Sequence, residues 1–225
     1  MAPTLSVRLA ALADLVVPGR PMADIGTDHA QLPSALVRAG TVPSAIGIDV
    51  HAGPLRAAAD TVASGVELRL GDGLRPLRDG EVHTVVIAGM GGERIRSIVD
   101  AGVPAGVARL VLQPNTDWPG VRAWIASRRF DLVDEHVVAE RDRFYLMLVV
   151  DPAAVASTIA WDAADLELGP VLRRRPTLAW RAWVDATRAR LQTAWSTSAD
   201  ARPDDPIRRR LAARRAIFDA AAEGS

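Results

Sequence analysis

Cysteine is absent from this chain, which excludes a disulfide framework, a thiolate zinc site and a cysteine nucleophile together. Lysine is absent too, so all 27 basic residues are arginine; a total exclusion of this kind reflects codon composition, and no function is drawn from it. No apolar run reaches the roughly 18 to 20 residues that a membrane span requires. The opening stretch MAPTLSVRLAALADLVV has no basic leader and carries Arg8 and Asp14 within its apolar part, unlike a signal peptide. Net charge is missing as well, with 27 basic residues against 27 acidic, so the overall balance does not advertise a nucleic-acid partner. The expectation from these absences is a cytoplasmic protein with no membrane segment.

With 225 residues, about half of them apolar, the chain can bury a full core, and its length suggests one domain plus an appendage. The stretch Pro21–Pro33, PMADIGTDHAQLP, reads as a buried strand, a turn and the start of a helix. Gly26 lets the backbone turn tightly and approach a ligand, and in open α/β sheets ligands lie beyond the carboxyl ends of the strands. Asp24 to His29 is therefore the place to look. The dinucleotide fingerprint needs glycine at its first, third and sixth positions, which here hold Gly26, Asp28 and Gln31. A carboxylate at Asp28 repels a pyrophosphate and suits an amine or a sulfonium, favouring S-adenosylmethionine over NAD. The alternative assigns Asp24 to a strand end and Asp28 to a helix cap.

Strand and helix signals then alternate. Leu5, Leu9, Leu12 and Val16 predict an amphipathic helix over Thr4–Val16, closed by Pro18-Gly19. A helix over Ala30–Ala39 is followed by a strand, Ala45–Val50, in which Asp49 lies 25 residues beyond Asp24, near the spacing at which an acid meets ribose hydroxyls. The alternative for Asp49 is the N-cap of a helix over Pro54–Ser64. Strand Val66–Leu70 runs into Gly71-Asp72-Gly73, where Asp72 is either an acceptor for an adenine amine or a turn residue. Strand Thr84–Ala88 opens into Gly89-Met90-Gly91-Gly92, too glycine-rich for a simple turn, and then a helix over Glu93–Ala101. Strand Arg109–Leu112 ends in Gln113-Pro114-Asn115, whose amides suit the polar edge of a base. After a helix over Trp118–Phe130, strands Leu132–Glu140 and Phe144–Val150 are joined by three residues, so they form an antiparallel hairpin. Five helix-linked strands and a hairpin fit a seven-stranded, mostly parallel class I (Rossmann-like) methyltransferase sheet.

Asp151-Pro152 marks a change of composition. Residues 1–152 are read as the methyltransferase domain and 153–225 as a helical domain. In the latter Trp180, Trp183, Val184, Leu191 and Trp195 share a helix face over Leu178–Trp195, and Asp205-Pro206 starts a second helix carrying Ile207, Leu211, Ile217 and Phe218. A short loop over Ser196–Asp204 makes these an antiparallel helical hairpin, with the tryptophans as its core. Residues 1–150 hold 15 Arg against 17 acids and residues 151–225 hold 12 against 10, with clusters at Arg173–Arg175, Arg208–Arg210 and Arg214-Arg215. These clusters read as phosphate contacts or as a solvated helix face.

In order, the strings LSVRLAALADLV, ADIGTDHAQLP, GIDVHAGPL, LRLGDGL, VVIAGMGG, LVLQPN and ELGP resemble the TrmK family over roughly residues 5 to 180. Members of that family methylate N1 of adenine 22 in tRNA with S-adenosylmethionine and pair a class I domain with a helical, coiled-coil-like one. The resemblance implies a cofactor pocket of Asp24, Ile25, Gly26, Thr27, Asp28, His29, Asp49, Val50, Asp72, Gly73, Ala88, Gly89 and Met90, with no metal. It implies Asp28, His29 and Asn115 as catalytic residues facing the base, and tRNA as the partner. Asp28 would balance the charge of the methylated ring, and His29 would either share in this or contact cofactor alone. Where the family carries an aromatic residue in the first loop, this chain has Gln31. Two other readings stay open: a methyltransferase acting on another RNA or a small molecule, and a noncatalytic S-adenosylmethionine-binding module.

Overall fold

The structure, a computed structural model, describes residues 5–155, 160–198 and 205–223. The chain divides into two compact units, Met1–Ile159 and Ala160–Ser225. In the first, helices α1 (Val7–Asp14), α2 (Gln31–Arg38), α3 (Ala52–Ala59), α4 (Gly92–Asp100) and α5 (Trp118–Arg128) and strands β1 (Met22–Ile25), β2 (Ala45–Asp49), β3 (Val66–Leu70), β4 (Thr84–Gly91) and β5 (Arg109–Thr116) follow in the order α1-β1-α2-β2-α3-β3-β4-α4-β5-α5, so the expected helix link is missing between β3 and β4, where residues 71–83 form turns. Strands β6 (Phe130–Glu140) and β7 (Arg143–Val155) complete the sheet.

The seven strands lie in the order β3-β2-β1-β4-β5-β7-β6. The first five run parallel, and β7 is antiparallel to both β5 and β6. All residues of β1 and β2 are buried, as apolar runs covered on both faces require. Leu12 and Val16 of the first segment join Met22, Leu36, Val86, Val111 and Met147 in one core cluster, so α1 is fastened to the sheet beside α2. Ser6 caps α1 by accepting from the Leu9 N–H, which starts the helix at Val7; Thr4, the expected start, lies outside the described residues.

Two strands run further than their sequence suggests. β4 continues past Ala88 through the glycines because a bulge between Ala88 and Gly91 absorbs the extra residue and keeps pairing with β5. β7 continues past Pro152 to Val155, with the proline in an irregular stretch between paired Asp151 and Val155, where its missing N–H removes no regular ladder bond.

The second unit holds α6 (Ala163–Leu168), α7 (Pro170–Arg174), α8 (Leu178–Thr197) and α9 (Pro206–Glu223). Trp183 packs edge-on against Phe218 at 5.5 Å, while Arg208, near the start of α9, sits 4.2 Å over Trp195, near the end of α8. The two helices are thus antiparallel, and Trp180 and Trp183 are buried core residues. Ile207 departs from its expected place in that core: it is 78 % exposed, because it occupies the first turn of α9 on the side away from α8. From residue 199 on, the expected Ser196–Asp204 loop lies outside the described residues up to Asp205. Helices α6 and α7 have no counterpart in the sequence reading; α6 is set by a reciprocal Asp162–Asp165 capping box and α7 by Pro170 at its first position.

Candidate functional site

The end of β1 is bent by one acceptor. The carbonyl of Ile48 takes hydrogen bonds from the N–H groups of both Gly26 (2.8 Å) and Thr27 (3.0 Å), and Gly26 has φ +73°. Thr27 Oγ1 then donates to Asp24 Oδ2 at 2.7 Å, and the Asp28 N–H donates to Asp49 Oδ2 at 3.2 Å. The other oxygen of Asp49 accepts from the His51 N–H at 2.9 Å. Neither expected cap role is seen: α2 is preceded by Ala30 and α3 by His51, each without a side-chain cap bond. The two acids are placed by the loop and not by the helices.

Asp28 and Ala30 both sit in the left-handed region, at φ +51° and +50°. For alanine that conformation costs roughly 1–2 kcal/mol, and it aims the intervening side chains outward. Asp28 and His29 are accordingly exposed by more than half, with Nε2 of His29 3.7 Å from Oδ1 of Asp28. Asp24 is buried instead. Burial pushes its carboxyl up to about 6, with the Thr27 hydrogen bond and the Arg8 charge pulling it down and Asp49 pushing it further up.

Opposite this loop stands Gly89, at φ +79°. Gln113, fully buried on β5, accepts from the Gly89 N–H (3.2 Å) and from Arg8 Nη1 (3.1 Å), and donates through Nε2 to Asn115 Oδ1 (3.0 Å). Asn115 donates in turn to the Gly89 carbonyl at 2.8 Å. The two amides expected to meet a base therefore grip the backbone of β4. Of the other glycines, Gly92 is required by packing: a Cβ there would come within 2.8 Å of the Thr116 carbonyl and of Val121. Gly91 shows no such need, since the nearest atom to its Cβ would be Thr116 Oγ1 at 3.4 Å.

A cleft of about 370 Å³ lies between these loops, lined by Arg8, Leu9, Leu12, Asp24, Gly26, Thr27, Asp28, His29, Gln31, Leu32, Ala88 and Gly89. Ile25 is buried in the core and is not part of the lining, and Asp49 accepts from the Asp28 N–H without lining the cleft itself. Met90 rests its methyl group on Gly26. Val50 and Leu70 are exposed at the ends of β2 and β3. Asp72 is outside the cleft lining, ion-paired to Arg94 (2.5 Å) and Arg75 (3.5 Å), and Gly73 packs over Ile98. Arg8 is the residue that sequence reasoning passed over. Its signal was a charge one helical turn before Leu12, on the side of α1 that the apolar stripe turns inward.

A sheet of this strand order, with a cleft at the carboxyl ends of β1 and β4 lined by Gly26 and Gly89 and with an acid closing β2, defines a class I methyltransferase. The methyltransferase-domain family pattern matches residues 5–148. The tRNA (adenine(22)-N(1))-methyltransferase of Bacillus subtilis is 37 % identical over 172 residues, covering 73 % of this chain and 71 % of the relative. The crystal structure of the B. subtilis M1A22 tRNA methyltransferase TrmK superposes with a TM-score of 0.83 at 28 % identity, covering 97 % of this chain and 99 % of that one. A Streptococcus pneumoniae protein in complex with S-adenosyl-L-methionine gives 0.85 at 30 % identity, covering 97 % and 100 %. The chain belongs to the tRNA (adenine(22)-N(1))-methyltransferase family.

Proposed function

We propose that this protein transfers the methyl group of S-adenosylmethionine to N1 of adenine 22 in tRNA, in the cytoplasm, where that substrate resides. The observation that carries the reading is the cleft itself. Its size is that of a small-molecule site, Gly26 and Gly89 line it, and its charged groups are the Arg8 guanidinium and the Asp24 and Asp28 carboxylates, with Asp49 next to Asp28 at the end of β2. This donor set fits a nucleoside bearing an amino acid and a sulfonium, and it lacks the phosphate-cradling glycine pattern that NAD would need.

Bound there, S-adenosylmethionine supplies an electrophilic methyl group. Adenine N1 already holds a lone pair, so the protein has no proton to remove before attack; its tasks are to hold the base in line and to balance the charge that develops on the ring. Asp28, exposed at the cleft mouth, is assigned the second task, with His29 beside it, its Nε2 3.7 Å from the Asp28 carboxylate, sharing that task or contacting the cofactor alone. Asn115 is assigned to fixing Gly89, since both atoms of its amide are already engaged. In a folded tRNA the N1 edge is paired or stacked, so the base must leave the stack at a cost of a few kcal/mol.

Affinity for the rest of the tRNA is assigned to residues 160–225. Part of the arginine cluster there is committed internally: Arg173 pairs with Asp162 and Asp165, Arg214 with Glu167, and Arg215 with Asp219. Arg174 and Arg210 are exposed and are the proposed phosphate contacts. Incubation with unmodified tRNA and labelled S-adenosylmethionine, followed by mapping of the modified base, tests the reading. One methyl group on N1 of adenine 22 is expected; methylation of another nucleotide, or none, overturns the assignment.

A further inference from the structure

We propose that Gln31 reads the edge of the target adenine that carries N6 and N7, and so leaves N1 uncovered for methylation. The inference rests on the reading of the protein as an adenine N1-methyltransferase. Gln31 is the first residue of α2 and is exposed at the cleft, beside Leu9, Leu12 and Leu32. The helix starts from Ala30 without a side-chain cap, and among the described residues the Gln31 amide has no hydrogen-bond partner. The amides of Gln113 and Asn115, by contrast, are already engaged with each other and with Gly89. Gln31 is therefore the amide left to meet a base.

Adenine has two polar edges, and the reaction claims one of them. N1 must face the sulfonium methyl, which leaves the N6–H donor and the N7 acceptor as the pair that can be read without blocking attack. Reading both takes an acceptor and a donor side by side in one plane, and a carboxamide presents that pair. Ionised Asp24 and Asp28 only accept, and the guanidinium of Arg8 only donates. The Thr27 hydroxyl is spent on Asp24, and the two ring nitrogens of His29 do not lie side by side. Among the described residues that line the cleft, Gln31 carries the one side-chain amide. Guanine is refused at the same point, because its O6 sets an acceptor where adenine has the N6 donor.

The test compares methylation of full-length tRNA carrying adenosine at position 22 with tRNA carrying 7-deazaadenosine there, which lacks the N7 acceptor. With the wild-type protein kcat/KM should fall about 10-fold on the deaza substrate, within the range for one bidentate base contact. Gln31→Leu, which keeps the bulk and removes the amide, should lose a similar factor on adenosine and treat the two tRNAs alike within about twofold. Its affinity for S-adenosylmethionine, measured by calorimetry, should stay within about twofold of wild type. A Gln31→Leu variant that still prefers adenosine by the wild-type factor overturns the proposal, because the N7 effect then belongs to the tRNA's own fold. Loss of S-adenosylmethionine affinity in that variant overturns it in favour of a cofactor contact. Equal turnover of the two tRNAs by the wild-type protein overturns it whether or not the variant folds. If the wild-type protein methylates neither tRNA at N1 of position 22, the functional reading falls and this inference with it, a result distinct from methylating both without preference.

Discussion

Asp24 is a buried carboxylate whose ionisation works against the fold. Its carboxyl sits at about 6 in the folded chain against 3.8 in the reference state, so the folded protein holds a proton that the unfolded chain releases between those values. The stability this group contributes is complete below about pH 4 and is lost as the pH rises through 6. At neutral pH its ionised burial costs the ligand-free protein about 3 kcal/mol. Asp24→Asn, which keeps an oxygen for Thr27, should stabilise the ligand-free protein at pH 7 by about 1–3 kcal/mol in denaturant unfolding, with the gain shrinking toward pH 4. Asp28→Asn tests the neighbouring role. Asparagine tolerates the left-handed conformation, so the substitution removes charge and leaves the loop in place. Turnover on tRNA should fall by about 10²-fold while cofactor affinity, measured by titration, changes little. If turnover at saturating cofactor stays near normal, Asp28 has no part in the chemistry. The positions of Asp24, Asp28 and Asp49 were legible because strand ends in an open sheet face the ligand. Arg8 was not, since tertiary packing carries it to the cleft from another part of the chain; Gln113 was legible as a strand-end amide, but not as a partner of Arg8 and Gly89.

At the scale of elements, α5 is tied to β6 by a pair that water does not reach. Arg122 Nε donates to Glu135 Oε1 at 2.7 Å, and both side chains are fully buried. Removing one member leaves the other charged in an apolar setting, so Arg122→Met should lower unfolding stability by about 3–5 kcal/mol. The double variant Arg122→Met with Glu135→Leu should recover most of that loss, because no charge is then stranded; chemical denaturation of both variants reads the difference. In the sequence the two residues looked like an ordinary helix charge and an ordinary strand charge, thirteen positions apart. Periodicity did reveal the elements themselves, from the apolar runs of β1, β2 and β4 to the long stripes of α8 and α9. It did not reveal α6 and α7, whose six and five residues are too few to show a 3.6-residue repeat. The bulge in β4 was hidden for a related reason: its glycines signalled a departure from regular backbone but not that pairing with β5 resumes beyond it.

For the whole molecule, the proposed division of labour places chemistry in the sheet unit and much of the tRNA affinity in the helical unit. Each neutralised phosphate releases counterions, so replacing Arg174 and Arg210 by glutamine should weaken tRNA binding and flatten its salt dependence by about one logarithmic unit of slope per lost contact. Filter binding over a salt series measures this; an unchanged slope would assign those arginines to solvent. The sheet has another consequence at this scale, for synthesis. Sequence order and spatial order part company at its far side, where β7 lies between β5 and β6. As the chain leaves the ribosome, β1 to β5 can assemble while the outer edge of β5, with Leu110, Val111 and Leu112, has no neighbour. β6 cannot supply one, because its own partner is β7 along nearly its whole length. The hairpin must therefore close on itself and dock as a finished piece, so a nascent chain stalled before Leu146 exposes an apolar strand edge that invites pairing with other chains.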